Sequence, residues 1–154
     1  MPTTTFRREL QVSADPQASW AVLTDVSSLV DWVGILDELV ELSPLEQYTA
    51  VLTDRLGPFK LKADLAIDVT DVVTDERIRV RAAGEDRQVA SRIEIDVLLT
   101  LAPGPDRGST VVVDGSYQVT GKVATMGAGM IRQKATKILD QFVTRAAERL
   151  GNRT

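Results

Sequence analysis

Ala124–Leu150, ATMGAGMIRQKATKILDQFVTRAAERL, reads as one long amphipathic helix. The stretch holds no proline, and its only poor helix formers, Gly127 and Gly129, stand near its start. Apolar side chains recur at helical spacing: Met126, Met130, Ile131, Ala135, Ile138, Leu139, Phe142, Val143, Ala146 and Leu150. Charged and amide side chains from Arg132 to Arg149 fill the other face. At ~1.5 Å rise per residue the helix is about 40 Å long, enough to cross a small sheet. A helix with one apolar stripe needs an apolar surface to lie on, and the rest of the chain reads mostly as strands.

Phe6, Arg8, Leu10 and Val12 share one parity and mark the first strand, with Arg8 set among the apolar residues. That arginine can stand at the strand's open end, reach into a polar cavity, or snorkel; snorkelling is the plain reading. Ser13 looks like an N-cap, with Pro16 in the first turn of a short helix over Pro16–Leu23. A second helical turn covers Ser28–Trp32, and Gly34 ends it. Ile35–Leu42 and Tyr48–Leu56 read as strands. The clearest strand follows: Phe59, Leu61, Ala63, Leu65, Ile67 and Val69 alternate with mainly charged residues. Arg77–Ala83, Ile93–Leu101 and Val111–Val119 complete the set, Gly115 reading as a bulge or bend. Ser43-Pro44, Gly57-Pro58, Asp75-Glu76 and Pro103–Gly108 supply the turns. The expected fold is α+β: a curved antiparallel sheet of six or seven strands, two short helices after strand one, and a long C-terminal helix across the sheet over a cavity.

At 154 residues the chain fits one domain, 1–154, large enough for a sizeable core. No apolar run approaches the ~20 residues that span a bilayer. The start, MPTTTFRREL, has no apolar segment behind its charges, so it does not read as a secretory signal and a cytoplasmic location is expected. Cysteine is absent, which removes disulfides and thiolate sites. Histidine is absent too, which excludes a Ser-His-Asp triad, a histidine base and a zincin site. With net charge −4 and no basic run interleaved with aromatics, nucleic acid is not an expected partner.

Candidate ligand-binding residues are Trp32, Tyr48, Phe59, Leu61, Ile95, Tyr117, Met126 and Met130: adaptable methionines, apolar side chains, and tyrosines with a polar tip. Gly127 and Gly129 would leave room beside the methionines. Each of these residues taken alone reads better as core, and it is the expected fold that raises the binding reading. Tyr48 and Tyr117 could donate protons in a cyclase-type enzyme, but no neighbour that would tune them is evident. No catalytic motif stands out, and passive binding is the preferred reading. Asp64, Asp68, Asp71 and Asp75 read as a solvated strand face rather than a metal site. Arg77, Arg79 and Arg81 read as a soluble edge that could also meet an acidic partner or lipid headgroups.

This element order, with Trp20, Leu23 and Asp25 after strand one, resembles the SRPBCC superfamily of START, Bet v 1-like and polyketide-cyclase-type helix-grip domains. Within it, Gly121–Gly127, GKVATMG, following YQVT at Tyr117–Thr120, resembles the G-K-x-A-x-x-G helix entry of the CoxG family, named for the G subunit of carbon monoxide dehydrogenase. Gly57-Pro58-Phe59 and Phe142 are similar as well. The sequence departs from that family in keeping only Gly34 of a Pro-Gly pair. It also stops at Thr154, where some members carry a membrane-binding tail, which counts against direct anchoring. The resemblance implies a cavity holding a hydrophobic small molecule: a quinone, lipid or polyketide. It further implies an accessory role to a carbon monoxide dehydrogenase-type molybdenum enzyme, with peripheral contact at the inner membrane face and no cofactor of its own. A polyketide cyclase or aromatase, or an interaction module without ligand, are the alternative readings.

Overall fold

A computed structural model describes residues 3–56, 59–86, 88 and 90–151, with the side chains of Leu56, Phe59 and Met126 left out of the description. The Gly57-Pro58 turn therefore lies outside the described residues. The chain runs β1 (Thr4–Val12), α1 (Pro16–Leu23), α2 (Val26–Val33), β2 (Leu36–Ser43), β3 (Gln47–Leu56), β4 (Phe59–Val73), β5 (Arg77–Asp86), β6 (Ser91–Pro103), β7 (Ser109–Gly121) and α3 (Lys122–Leu150). Seven antiparallel strands form one sheet in the order β1-β7-β6-β5-β4-β3-β2. Strands β2 to β7 meander between neighbours, and α1 and α2 carry the chain from one edge strand, β1, to the other, β2. Period-two alternation decides which face is covered. Along β4, Leu61, Ala63, Leu65 and Val69 are buried while Lys60, Lys62, Asp64 and Asp68 are exposed.

The sheet's covered face receives α3, whose 29 residues span about 44 Å at ~1.5 Å per residue. Its C-terminal end is tied to the β1–α1 turn. The Ser13 N–H donates to the Gly151 carbonyl at 2.8 Å, and the Ala14 N–H and Ser13 hydroxyl donate to the Leu150 carbonyl at 3.0 and 3.1 Å. This corrects the expected N-cap. Ser13 is spent on α3, and Asp15, directly before Pro16, caps α1 by accepting from the Ala18 N–H at 2.7 Å.

Gly115 also departs from expectation. The β1–β7 and β6–β7 ladders run through it without a slip, so it marks no bulge. A Cβ there would collide with the Phe6 ring and the Asp96 carbonyl oxygen. The glycine is needed because Phe6, its cross-strand partner, lays its ring over that backbone. True register slips lie elsewhere, in β2 between Asp37 and Val40 and in β4 between Thr70 and Val73.

Candidate functional site

The interior divides into two packed ends with a looser middle. At one end Leu10, Val12, Trp20, Leu23, Val111 and Leu150 belong to the larger buried cluster, against which Phe142, Val143 and Ala147 of α3 pack. At the other, Leu52, Leu61, Ala63, Leu65, Ile93 and Val123 form the smaller one, joined by Ile131. Between them, on the same face of the sheet, Ile67, Val80, Ile95, Val97, Tyr117 and Val119 are only half-buried. Small residues stand in this part of the sheet: Ala82 pairs with Ile95, Ile95 with Tyr117, and Val97 with Gly115, whose backbone the Phe6 ring covers. Above it, Ala135, Ile138 and Leu139 of α3 are half-buried and join neither cluster. Of that half-buried sheet band, Ile67, Val80 and Val97 pack against the larger cluster and Ile67, Ile95 and Val119 against the smaller, while the three helix residues join neither.

The start of α3 opens onto the same looseness. Gly127 breaks helical geometry (φ −130°, ψ 22°). It is buried, yet a Cβ built on Gly127 or on Gly129 would meet no atom within 4 Å. Polar groups flank the helix. On the β1 side Arg8 reaches Asp140 at 3.5 Å; on the β3 side Lys134 reaches Asp54 at 3.1 Å. Sequence reasoning places Arg8 on the apolar row but passes over Asp54. The signal is present in the string, because Asp54 shares parity with Tyr48, Ala50 and Leu52, and an acid continuing a buried row demands a partner.

Of the eight residues singled out from sequence, the six with described side chains do not converge on one spot. Ile95 and Tyr117 are cross-strand neighbours in the middle band. Leu61 is buried in the smaller cluster. Trp32 and Tyr48 are buried in the larger one, Trp32 edge-on to Phe142 at 5.6 Å with the Arg149 guanidinium 5.9 Å above its ring. The Tyr48 hydroxyl is committed, accepting from the Leu45 N–H at 2.8 Å and donating to Glu41 at 3.4 Å. Tyr117 packs on Phe6 at 6.5 Å, and its hydroxyl has no hydrogen-bond partner among the described residues. Met130 is 40% exposed, on the helix flank that carries Lys134 one turn later. The side chains of Phe59 and Met126 lie outside the described ones.

The outer face carries charge. Asp96 accepts from Arg79 at 3.0 and 3.1 Å and pairs with Arg81 at 3.5 Å. Hydrogen bonds to Glu94 and Glu85 push the Arg92 guanidinium further up, holding its charge. Two depressions of about 590 and 410 Å³ open here, lined largely by such polar side chains. The second also touches Ala82, Ile95 and Tyr117 of the middle band, and neither is lined by α3. Among the described residues, Asp64, Asp68, Asp71 and Asp75 form no group suited to a metal ion.

A seven-stranded antiparallel sheet gripped by one long helix, with two short helices after β1, is the helix-grip, Bet v 1-like fold of the SRPBCC superfamily. Solved structures agree. A conserved protein from Geobacillus kaustophilus superposes with a TM-score of 0.80 at 21% identity, over 96% of this chain and 95% of that one. A protein from Deinococcus radiodurans gives 0.64 at 18% identity, over 96% and 98%. Ara h 8.0201 gives 0.53 at 12% identity, over 96% and 99%. At these identities the likeness shows the fold. No curated protein matches the sequence. The sequence model of the CoxG family (carbon monoxide dehydrogenase, G subunit) matches residues 9–151, and the chain belongs to that family.

Proposed function

We propose that this protein binds a hydrophobic small molecule, of quinone, lipid or polyketide type, in the gap between the sheet and the middle of α3. The observation that carries the reading is the half-buried apolar band Ile67, Val80, Ile95, Val97, Tyr117 and Val119 beneath Ala135, Ile138 and Leu139. Covering that band with an apolar ligand removes it from water at roughly 25 cal/mol per Å², before ordering costs. Ile95 and Tyr117 line the middle, Leu61 closes one end, and Trp32 and Tyr48 close the other. Met130 belongs to the mouth near the start of α3. The family name supports an accessory role beside a carbon monoxide dehydrogenase-type enzyme. No helix among the described residues is long and apolar enough to cross a membrane.

Native mass spectrometry of the purified protein, followed by organic extraction, tests the binding role. A retained isoprenoid quinone or lipid is the expected result. A protein that comes out empty and ignores added quinones and lipids would overturn it.

A further inference from the structure

Arg8 lies on the inner row of β1 between Phe6 and Leu10, the one charged side chain in the set Phe6, Arg8, Leu10 and Val12. Across the ladder it faces Val113. Its side chain is 33% exposed, so most of its length is covered. The guanidinium donates to the Arg7 carbonyl at 3.0 Å and touches one oxygen of Asp140 at 3.5 Å; Asp140 itself is 64% exposed. A guanidinium offers five N–H donors in a planar fork that fits a carboxylate through two parallel bonds. Here it has a single long contact to an acid that water can solvate instead.

The other flank of α3 is built differently. Lys134 meets Asp54 at 3.1 Å, Asp54 is only 14% exposed, and its Oδ1 also accepts from the Arg55 N–H at 2.8 Å. That side is shut by a short, covered pair. The β1 side is closed by a long, exposed one, next to a cation whose donors are under-used.

This step rests on the reading of the gap as a binding site: we propose that its occupant is a single-chain amphiphile with a carboxylate head. The head displaces Asp140 and takes the Arg8 fork at the β1 flank, and the tail lies along Phe6, Val97 and Ile95. An uncharged ligand offers the fork at most a neutral acceptor and gains less from it than a carboxylate does. A carboxylate exchanges one long contact for two short charge-assisted bonds.

The test uses the full chain, stripped of retained ligand by organic extraction and refolded, titrated calorimetrically with dodecanoate and with dodecanol. Dodecanoate is expected to bind about tenfold tighter, the size of one charge-assisted hydrogen bond. Arg8→Met keeps an apolar stem; it should abolish the preference and leave dodecanol affinity unchanged. Asp140→Asn removes the competing acid and should raise dodecanoate affinity about threefold, the scale of an exposed ion pair. A structural role for Arg8 would instead lower both affinities together, which counts against the proposal. Equal binding of both probes by wild type and Arg8→Met overturns the head-group assignment while leaving the gap as a site. Binding of neither probe by any variant removes the gap reading and the proposal with it.

Discussion

The two halves of α3 lie over one sheet and differ in how they are held. From Phe142 to Leu150 the helix presses on Trp32, Leu23 and the β1–β7 end of the sheet, and Ser13 and Ala14 hydrogen-bond its last carbonyls. From Lys122 to Leu139, among the described side chains, only Val123 and Ile131 join a cluster, while Gly127 and Gly129 stand beside open space. The helix is thus fastened at its end, touched down at its beginning, and between them joins neither cluster. In such an arrangement the free energy of the interface gathers where packing is dense, and the loose part can yield to a ligand without unfolding the domain.

Truncations at matched helix positions are the strongest way to break that contrast. Leu150, 3% exposed, should cost about 3 kcal/mol on mutation to Ala, the usual range for a leucine in a packed core. Ile138→Ala, half-buried and in neither buried cluster, should cost less, on the order of 1 kcal/mol. Urea unfolding of the two variants reads the difference. Equal losses would mean the middle of α3 is packed as tightly as its end. Next in size comes Gly115→Ala. The added methyl meets the Phe6 ring and the Asp96 carbonyl oxygen, and overpacking of this kind costs about 1–3 kcal/mol. Pairing it with Phe6→Leu, which withdraws the ring, should recover part of the loss; an unchanged penalty would place the strain at the Asp96 backbone.

The flank pair ranks below these. Lys134→Ala removes the 3.1 Å contact to Asp54 from a lysine side chain that is 39% exposed. Solvent screening keeps such a pair at or under about 1 kcal/mol. The more sensitive readout is hydrogen exchange along α3, where protection between Ile131 and Leu139 should fall while that from Phe142 to Leu150 holds. A uniform loss along the helix would show that α3 opens as one unit.

These contrasts also mark what the sequence could convey. The sheet was legible because its longer strands alternate: Leu61, Ala63, Leu65 and Val69 of β4 are buried as their parity requires, whereas β2 breaks the pattern with its register slips. The long helix was legible from its spacing, and the family from its entry motif. The distribution of space was not. Trp32 and Tyr48 read as pocket candidates by residue type, yet both are buried among the larger cluster, because which apolar side chains meet depends on sheet curvature and on where α1 and α2 land. Gly115 read as a bulge, since a glycine that yields to a cross-strand ring looks the same in the string as one that bends the strand. Asp54 was overlooked because its partner, Lys134, is 80 residues away, and only the fold brings them together.

The smallest effect is the one most specific to the gap. Gly129 is exposed on α3, and an added Cβ there touches nothing. In an unstrained helical position, Gly→Ala stabilises by up to about 1 kcal/mol through lost freedom in the unfolded chain and better helix propensity. Gly129→Ala should therefore raise stability by roughly that amount. Gly127→Ala should gain less, because its φ of −130° lies off the helical value, so propensity is only partly recovered. If the glycines serve only to start the helix, both variants will be neutral in binding. If they leave room for a ligand to enter beneath Met130, the same methyl that steadies the helix should weaken binding of a bulky apolar probe. Stability and affinity would then move in opposite directions, which a helix-start role alone would not produce.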